Sequence, residues 1–409
     1  MGNRPFGYFN KRFRKAALNN TKGKRDNYFQ RCGQMENKRN QKVKRLLSFT
    51  LIMVVIICLA ACKSRELSTN PTAYYIVYSG TDKGESRIEG IDVDGNPTAI
   101  HDIEAINIAK SALVGEEFVA GGHRANNHLI IQQDGSFEEF YLLDNPQYSG
   151  VWNITLDDKN IVSVMNGNVD NERNIYLNLL VIQDRSQNVL VMEEISITPN
   201  ALLIDGDCLY MGGCFWQYDA NPIYCGASVA RYNMKTGEYE EKHFPYNENV
   251  AATEYKFLTK CGDYLYGILN ESLMDKDTVD RQNEIDIIDK ETLERVGTIT
   301  FDKIISEMYF VDEDLYIVIG DKLCKYDVET QATEELYTFP ENTNVESSHM
   351  RNGHVYYCVR YFPTSKDGNM WNVGYIIDFS INDKSAKQTP LTTDAKNTES
   401  MVFFPVADY

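Results

Sequence analysis

Two of the three tryptophans, Trp216 and Trp371, stand in polar, turn-rich segments. The first reads Gly213-Cys-Phe-Trp-Gln-Tyr-Asp-Ala-Asn-Pro-Ile-Tyr-Cys225, the second Tyr361-Phe-Pro-Thr-Ser-Lys-Asp-Gly-Asn-Met-Trp371. An aromatic face flanked by amides and carboxylates can stack on a sugar ring or hold a peptide side chain. Trp216, Tyr218, Asp219, Trp371, Asp367 and Asn369 are therefore the candidate ligand-binding residues. The competing reading is that the same aromatics only pack these segments against the protein.

Other chemistries find less support. His123 and His128 lie five apart, as do His349 and His354, but neither pair comes with a third metal ligand. Asp92-Val-Asp-Gly-Asn96 opens like a calcium loop and lacks the downstream Glu, so it reads as a hairpin turn. There is no Gly-x-Ser-x-Gly elbow, no His-Glu-x-x-His and no glycine-rich phosphate loop. No metal and no cofactor is expected, and no catalytic residue can be named. Cys208, Cys214, Cys225, Cys261, Cys324 and Cys358 show no Cys-x-x-Cys spacing, which argues against structural zinc. Cys214 and Cys225 are spaced to close one loop.

The elements that would position such residues are strands. Tyr (26) and Phe (18) are abundant, and short β-branched or aromatic runs alternate with Asp, Asn, Gly and Lys turns. A strand ending in a carboxylate or amide meets a tight turn seven times. The turns are Asp94-Gly95, Asp134-Gly135, Ser186-Gln-Asn188, Lys235-Thr-Gly237, Lys290-Glu-Thr292, Glu329-Thr-Gln331 and Asn382-Asp-Lys-Ser385. A second, earlier turn marks the same units, as in Asp205-Gly-Asp, Cys261-Gly-Asp and Asn352-Gly-His. The period is irregular, roughly 40 to 55 residues, which suits four antiparallel strands and three turns.

This rhythm resembles the seven-bladed β-propeller class, in the version found in bacterial surface lipoproteins. The resemblance implies an all-β fold of seven four-stranded antiparallel blades over residues 72–409. It rests on the repeat, since no Trp-Asp ending, sialidase Asp-box or quinoprotein motif is present. The first unit begins at Ala73-Tyr-Tyr-Ile-Val-Tyr, which corresponds to a second strand, so it lacks an inner one. Met401-Val-Phe-Phe404 is left over at the other end. The C-terminal strand is therefore expected to complete the first blade and close the ring. Long connections at 166–174, 215–227, 270–283 and 363–372 are expected to gather on one face, around one end of the central channel. Loops on a rigid scaffold commonly carry function.

The N-terminus addresses location. Lys44-Arg45 precedes an apolar run over 46–61, which is 16 residues where a membrane span needs about 20. It ends Leu59-Ala60-Ala61-Cys62, which resembles the lipobox of bacterial lipoproteins and implies that Cys62 becomes the lipidated first residue. The expected organisation is a basic extension over 1–34, with Met35 the expected start, a signal peptide over 35–61, a lipidated tether over 62–71 and the propeller over 72–409. The anchor then places the protein on the outer face of the cytoplasmic membrane, or in the periplasm or on the outer membrane where the envelope has one. Residues 1–61 carry 14 Lys+Arg and 2 Asp+Glu, so their removal moves the net charge from −18 to −30. Such a surface repels nucleic acid. The leading expectation is a non-catalytic binder of a glycan, peptide or surface protein. The alternatives are a carbohydrate-active hydrolase or lyase with its site at the channel mouth, and an envelope assembly scaffold.

Overall fold

Alternating apolar runs cut by turn residues should fold as hairpins. In the computed structural model every regular element is a β-strand, and no helix occurs among the described residues. These are residues 67–406, apart from 81, 83, 106, 124–126, 142–149, 219–223, 245–249, 274–280, 362–373 and 392–399.

The strands run in chain order as consecutive antiparallel hairpins. First come β1 (Tyr74–Ser79), β2 (Ser86–Ile91) and β3 (Pro97–Ile103), then β4 (Ile108–Val114), β5 (Glu117–Gly122), β6 (Asn127–Gln132) and β7 (Phe137–Tyr141). Next are β8 (Val151–Leu156), β9 (Asn160–Asp170), β10 (Ile175–Asp184) and β11 (Val189–Ile195). They are followed by β12 (Ile197–Asp205), β13 (Cys208–Gln217), β14 (Tyr224–Asn233) and β15 (Tyr239–His243). Then come β16 (Val250–Cys261), β17 (Tyr264–Leu273), β18 (Arg281–Asp289) and β19 (Arg295–Thr300). After these are β20 (Ile305–Val311), β21 (Asp314–Ile319), β22 (Lys322–Tyr326) and β23 (Thr333–Thr338). Last are β24 (Thr343–Arg351), β25 (His354–Tyr361), β26 (Gly374–Ser380), β27 (Ser385–Leu391) and β28 (Ser400–Pro405). The arrangement is that of a β-propeller.

The repeated carboxylate has a physical role. Asp184 Oδ1 accepts from the backbone N–H of Ser186 and Asn188, at 2.8 and 2.9 Å. Asn233, Asp289 and Asp327 cap their turns in the same way. At Asp92 burial works to raise the pKa, but hydrogen bonds from Ser68, Asn70 and Asn96 prevail and hold it at about 2. One residue in or directly after each of the seven repeated turns takes positive φ: Gly95, Gly135, Gln187, Gly237, Leu293, Gln331 and Lys384. The turn geometry is thus kept even where the residue is not glycine, at a local conformational cost.

β28 pairs with β1 in antiparallel register, with Tyr75 opposite Phe404 and Val77 opposite Val402. The leftover C-terminal segment therefore supplies the missing strand of the first sheet. Its side chains alternate between two cores. Val402 and Phe404 join Tyr75, Val77 and Phe118 on one side. Met401 and Phe403 join Tyr74, Ile76, Cys358 and Ile376 on the other. Five further apolar clusters sit between sequence-adjacent units, for example Val164, Leu180, Leu209 and Met211.

The sheet count differs from the expectation of separate four-stranded units. Five sheets are four-stranded and separate, but β8–β15 form one eight-stranded sheet. The join is a single pairing, Ile175 with Gln217, beside a hydrogen bond from Tyr218 N to Asn174 O of 2.7 Å. It arises because β9, β10, β13 and β14 run to 10 or 11 residues and overreach their sheets. The long connections are likewise shorter than expected, because paired strand fills much of 166–174, 215–227 and 270–283.

Candidate functional site

Seven strands that pair on one side only, β4, β8, β12, β16, β20, β24 and β28, are here called the inner strands. Each contacts the next in this order, and β28 also contacts β4. Many of the side chains on these strands are polar. A cavity of about 450 Å³ lies among them, lined by residues of all seven strands together with Gln282 of β18. A second chamber of about 620 Å³ shares Ser111, Leu202, Phe257 and His349 with the first and extends toward the Asp157 and Gly206 turns. The first chamber lies nearer the end that carries the extended β9–β10, β13–β14 and β17–β18 hairpins, since its lining residues come earlier along each inner strand.

One polar cluster dominates the first chamber. Ser348 Oγ donates to Glu307 Oε2 at 2.6 Å, and the same hydroxyl meets Tyr309 Oη. Burial pushes the Glu307 carboxyl up to about 7, against the opposing pull of Ser348, Lys110 and Tyr309. Lys110 Nζ donates to the Asn200 carbonyl at 3.3 Å. Burial lowers the Lys110 pKa, and the ammonium of Lys256 lowers it further, while Glu307 and Glu254 oppose the shift. Lys256 pairs with Glu254 at 2.6 Å, and Glu254 also accepts from Asn200 Nδ2 at 2.7 Å. Glu346 is held by Arg360, whose Nε donates at 2.6 Å.

His349 borders both chambers and packs on Phe118 and Phe403. It is buried, its Nε2 has no partner among the described residues, and burial lowers its pKa to about 4. A carboxyl of raised pKa beside an amine, a hydroxyl and a phenol can hold polar ligand groups or move a proton. No group of His, Cys, Asp and Glu suited to a metal occurs among the described residues.

The residues singled out in the sequence are divided. Trp216 lies in β13, half-buried, opposite Cys225. Tyr218 follows at the end of the hairpin and is exposed. Both belong to the extended β13–β14 hairpin, not to the chamber lining. Asp219, Asp367, Asn369, Trp371 and Cys62 lie outside the described residues. Cys214 and Cys225 are both buried as free thiols in contact, and the Cys214 thiol is pushed up by Cys225 and by burial. His128 is buried in β6 and His123 contacts the Val151 carbonyl, so this pair does not converge.

The chamber residues were not singled out in the sequence. A faint signal existed: Lys110 and Glu307 interrupt otherwise apolar strands, Ile-Ala-Lys-Ser-Ala and Ile-Ser-Glu-Met-Tyr.

No family model and no curated protein matches the chain. Solved structures similar to it include a Bacteroides fragilis protein provisionally assigned as a 6-phosphogluconolactonase, at 10% identity and TM-score 0.46, covering 83% of this chain and 100% of that one. AztD from Citrobacter koseri aligns at 12% identity and TM-score 0.44, over 82% of this chain and 98% of that one. A streptogramin B lyase aligns at 16% identity and TM-score 0.45, over 79% and 89%. At these levels no activity carries across. Among the described residues no helix is long and apolar enough to cross a membrane.

Proposed function

We propose that this chain is a lipid-anchored, extracytoplasmic, seven-bladed propeller that binds a ligand or partner at the hairpin-bearing end of its channel, without catalysis. In this reading β8–β11 and β12–β15 are two blades bridged by one strand pair, and β28 closes the ring. Seven apolar clusters between successive units, the last joining β25 and β26 to β1 and β28, support that count. The lipobox resemblance at Leu59-Ala-Ala-Cys62 supports the anchor.

The observation that carries the binding reading is the polar chamber of about 450 Å³ bounded by all seven inner strands. Ligand sites are typically concave, largely preformed and of this size. The test is a thermal-shift screen of the full chain in detergent with glycans, peptidoglycan fragments, peptides and divalent cations. A ligand at about 100 times its Kd adds roughly 2.7 kcal/mol. A shift that Ser111→Phe abolishes, by plugging the lumen, is the expected result. Shifts untouched by that substitution would move the site elsewhere, and none at all with any class would remove the small-ligand reading.

A second reading is favoured by one observation, the Glu307 carboxyl with pKa near 7 beside Ser348. Such a group suits general acid–base work in a hydrolase or lyase at the channel mouth. Turnover of a bound glycan, lost in Glu307→Gln, would select it over the binder.

A further inference from the structure

Among the described residues, Lys110 is a chamber cation that no carboxylate neutralises by contact. Its Nζ meets a carbonyl at 3.3 Å, and no ion pair within 4 Å joins it to any described residue. An ammonium has three donors, so two remain for the lumen. The acids around it are committed elsewhere. Glu346 is taken by Arg360, Glu254 by Lys256 and two asparagines, and Glu307 by Ser348. Lys256 lines the same chamber and repels Lys110 across it. Both lysines stand in a protein whose net charge is −18, where chance would favour acids.

We infer that the chamber takes the oxyanion of a small ligand, a carboxylate or a phosphate, between Lys110 and Lys256. The inference rests on the binding reading above and names its ligand class. An anion there relieves the mutual repulsion of the two ammonium groups and supplies the acceptors that Lys110 lacks. Serine hydroxyls at 111, 306 and 347 border the same space and can donate to it. Glu307 faces Lys110 of β4, Tyr309 of its own strand, Ser348 of β24 and Tyr357 of β25, and it shares the chamber with Lys256 of β16 and with Glu346 and His349 of β24. In its protonated form it does not repel the anion, so binding and proton uptake at Glu307 go together.

The experiment titrates the full chain in detergent with inorganic phosphate, D-galacturonate and D-galactose at fixed ionic strength, by calorimetry and thermal shift. Phosphate or galacturonate binds and galactose does not, and which of the two binds identifies the oxyanion. Lys110→Met weakens that binding at least about tenfold, the loss expected for one charge-assisted contact. Lys256→Met, at a more exposed site, weakens it less and guards against a folding failure of the first variant. Affinity falls as pH rises above 7, and Glu307→Gln flattens that dependence. Absence of binding by both anions overturns the inference, as does anion binding that survives both lysine substitutions. Galactose binding that Ser111→Phe abolishes would overturn the anion while leaving the channel as the ligand site.

Discussion

The buried ionisable residues set opposite pH slopes. The Glu307 carboxyl has a folded pKa of about 7, above an ordinary glutamate. The folded state therefore binds more protons than the unfolded one between the two values, so this residue's stabilisation is full below the ordinary glutamate value, is lost as pH rises through about 7, and levels off beyond. Glu307→Gln should remove that slope, read as Tm against pH. His128 and His349 act in the other sense. Burial depresses them to about 3 and about 4, so the unfolded chain binds more protons below pH 6.5. Their contribution is full above 6.5 and is lost as pH falls toward the folded values. His128→Leu, at a site where neither ring nitrogen has a hydrogen-bond partner among the described residues, should flatten the acid limb of the Tm profile. An unchanged limb would mean that other groups govern acid unfolding.

At the scale of elements, the C-terminal strand carries the sharpest prediction. Phe404 is fully buried between Tyr75 and Phe118, stacked on both. Phe404→Ala should cost about 3–5 kcal/mol, measured by denaturant unfolding. A chain ended after Asp394 loses β28 entirely and should fail to give a cooperative transition. Much of this level was legible in the sequence. The turn carboxylates could be read because capping is local: Asp184, Asp289 and Asp327 bond to N–H groups two to four residues on. The orphan run Met401-Val-Phe-Phe404 betrayed itself by a missing strand at the other end. The reach of β9 and β13 could not be read, since polar residues such as Asn168 and Gln217 look like loop until they pair, Asn168 with Leu177 and Gln217 with Tyr224 and, in the neighbouring hairpin, Ile175. The chamber was hidden for a related reason. Lys110, Glu307 and Ser348 come from β4, β20 and β24, and no local spacing links them.

At the scale of the whole molecule, sheets in a propeller arrangement border a polar chamber. In the proposed account Cys62 carries the lipid, and Cys62→Ser should shift the protein from the membrane fraction to the soluble fraction of cells while leaving Tm unchanged. Retention of the variant in the membrane would argue for an uncleaved anchor. The net charge of −30 expected after maturation keeps the surface solvated and makes lysines inside the lumen the exception. The most direct test of the channel as the functional site is hydrogen exchange of the full chain with and without a stabilising ligand from the screen. The account predicts added protection along inner strands β4, β12, β16, β20 and β24, around Lys110, Asn200, Glu254, Glu307 and Ser348. Protection confined to Trp216, Tyr218 and the β13–β14 hairpin, with the inner strands unchanged, would contradict it.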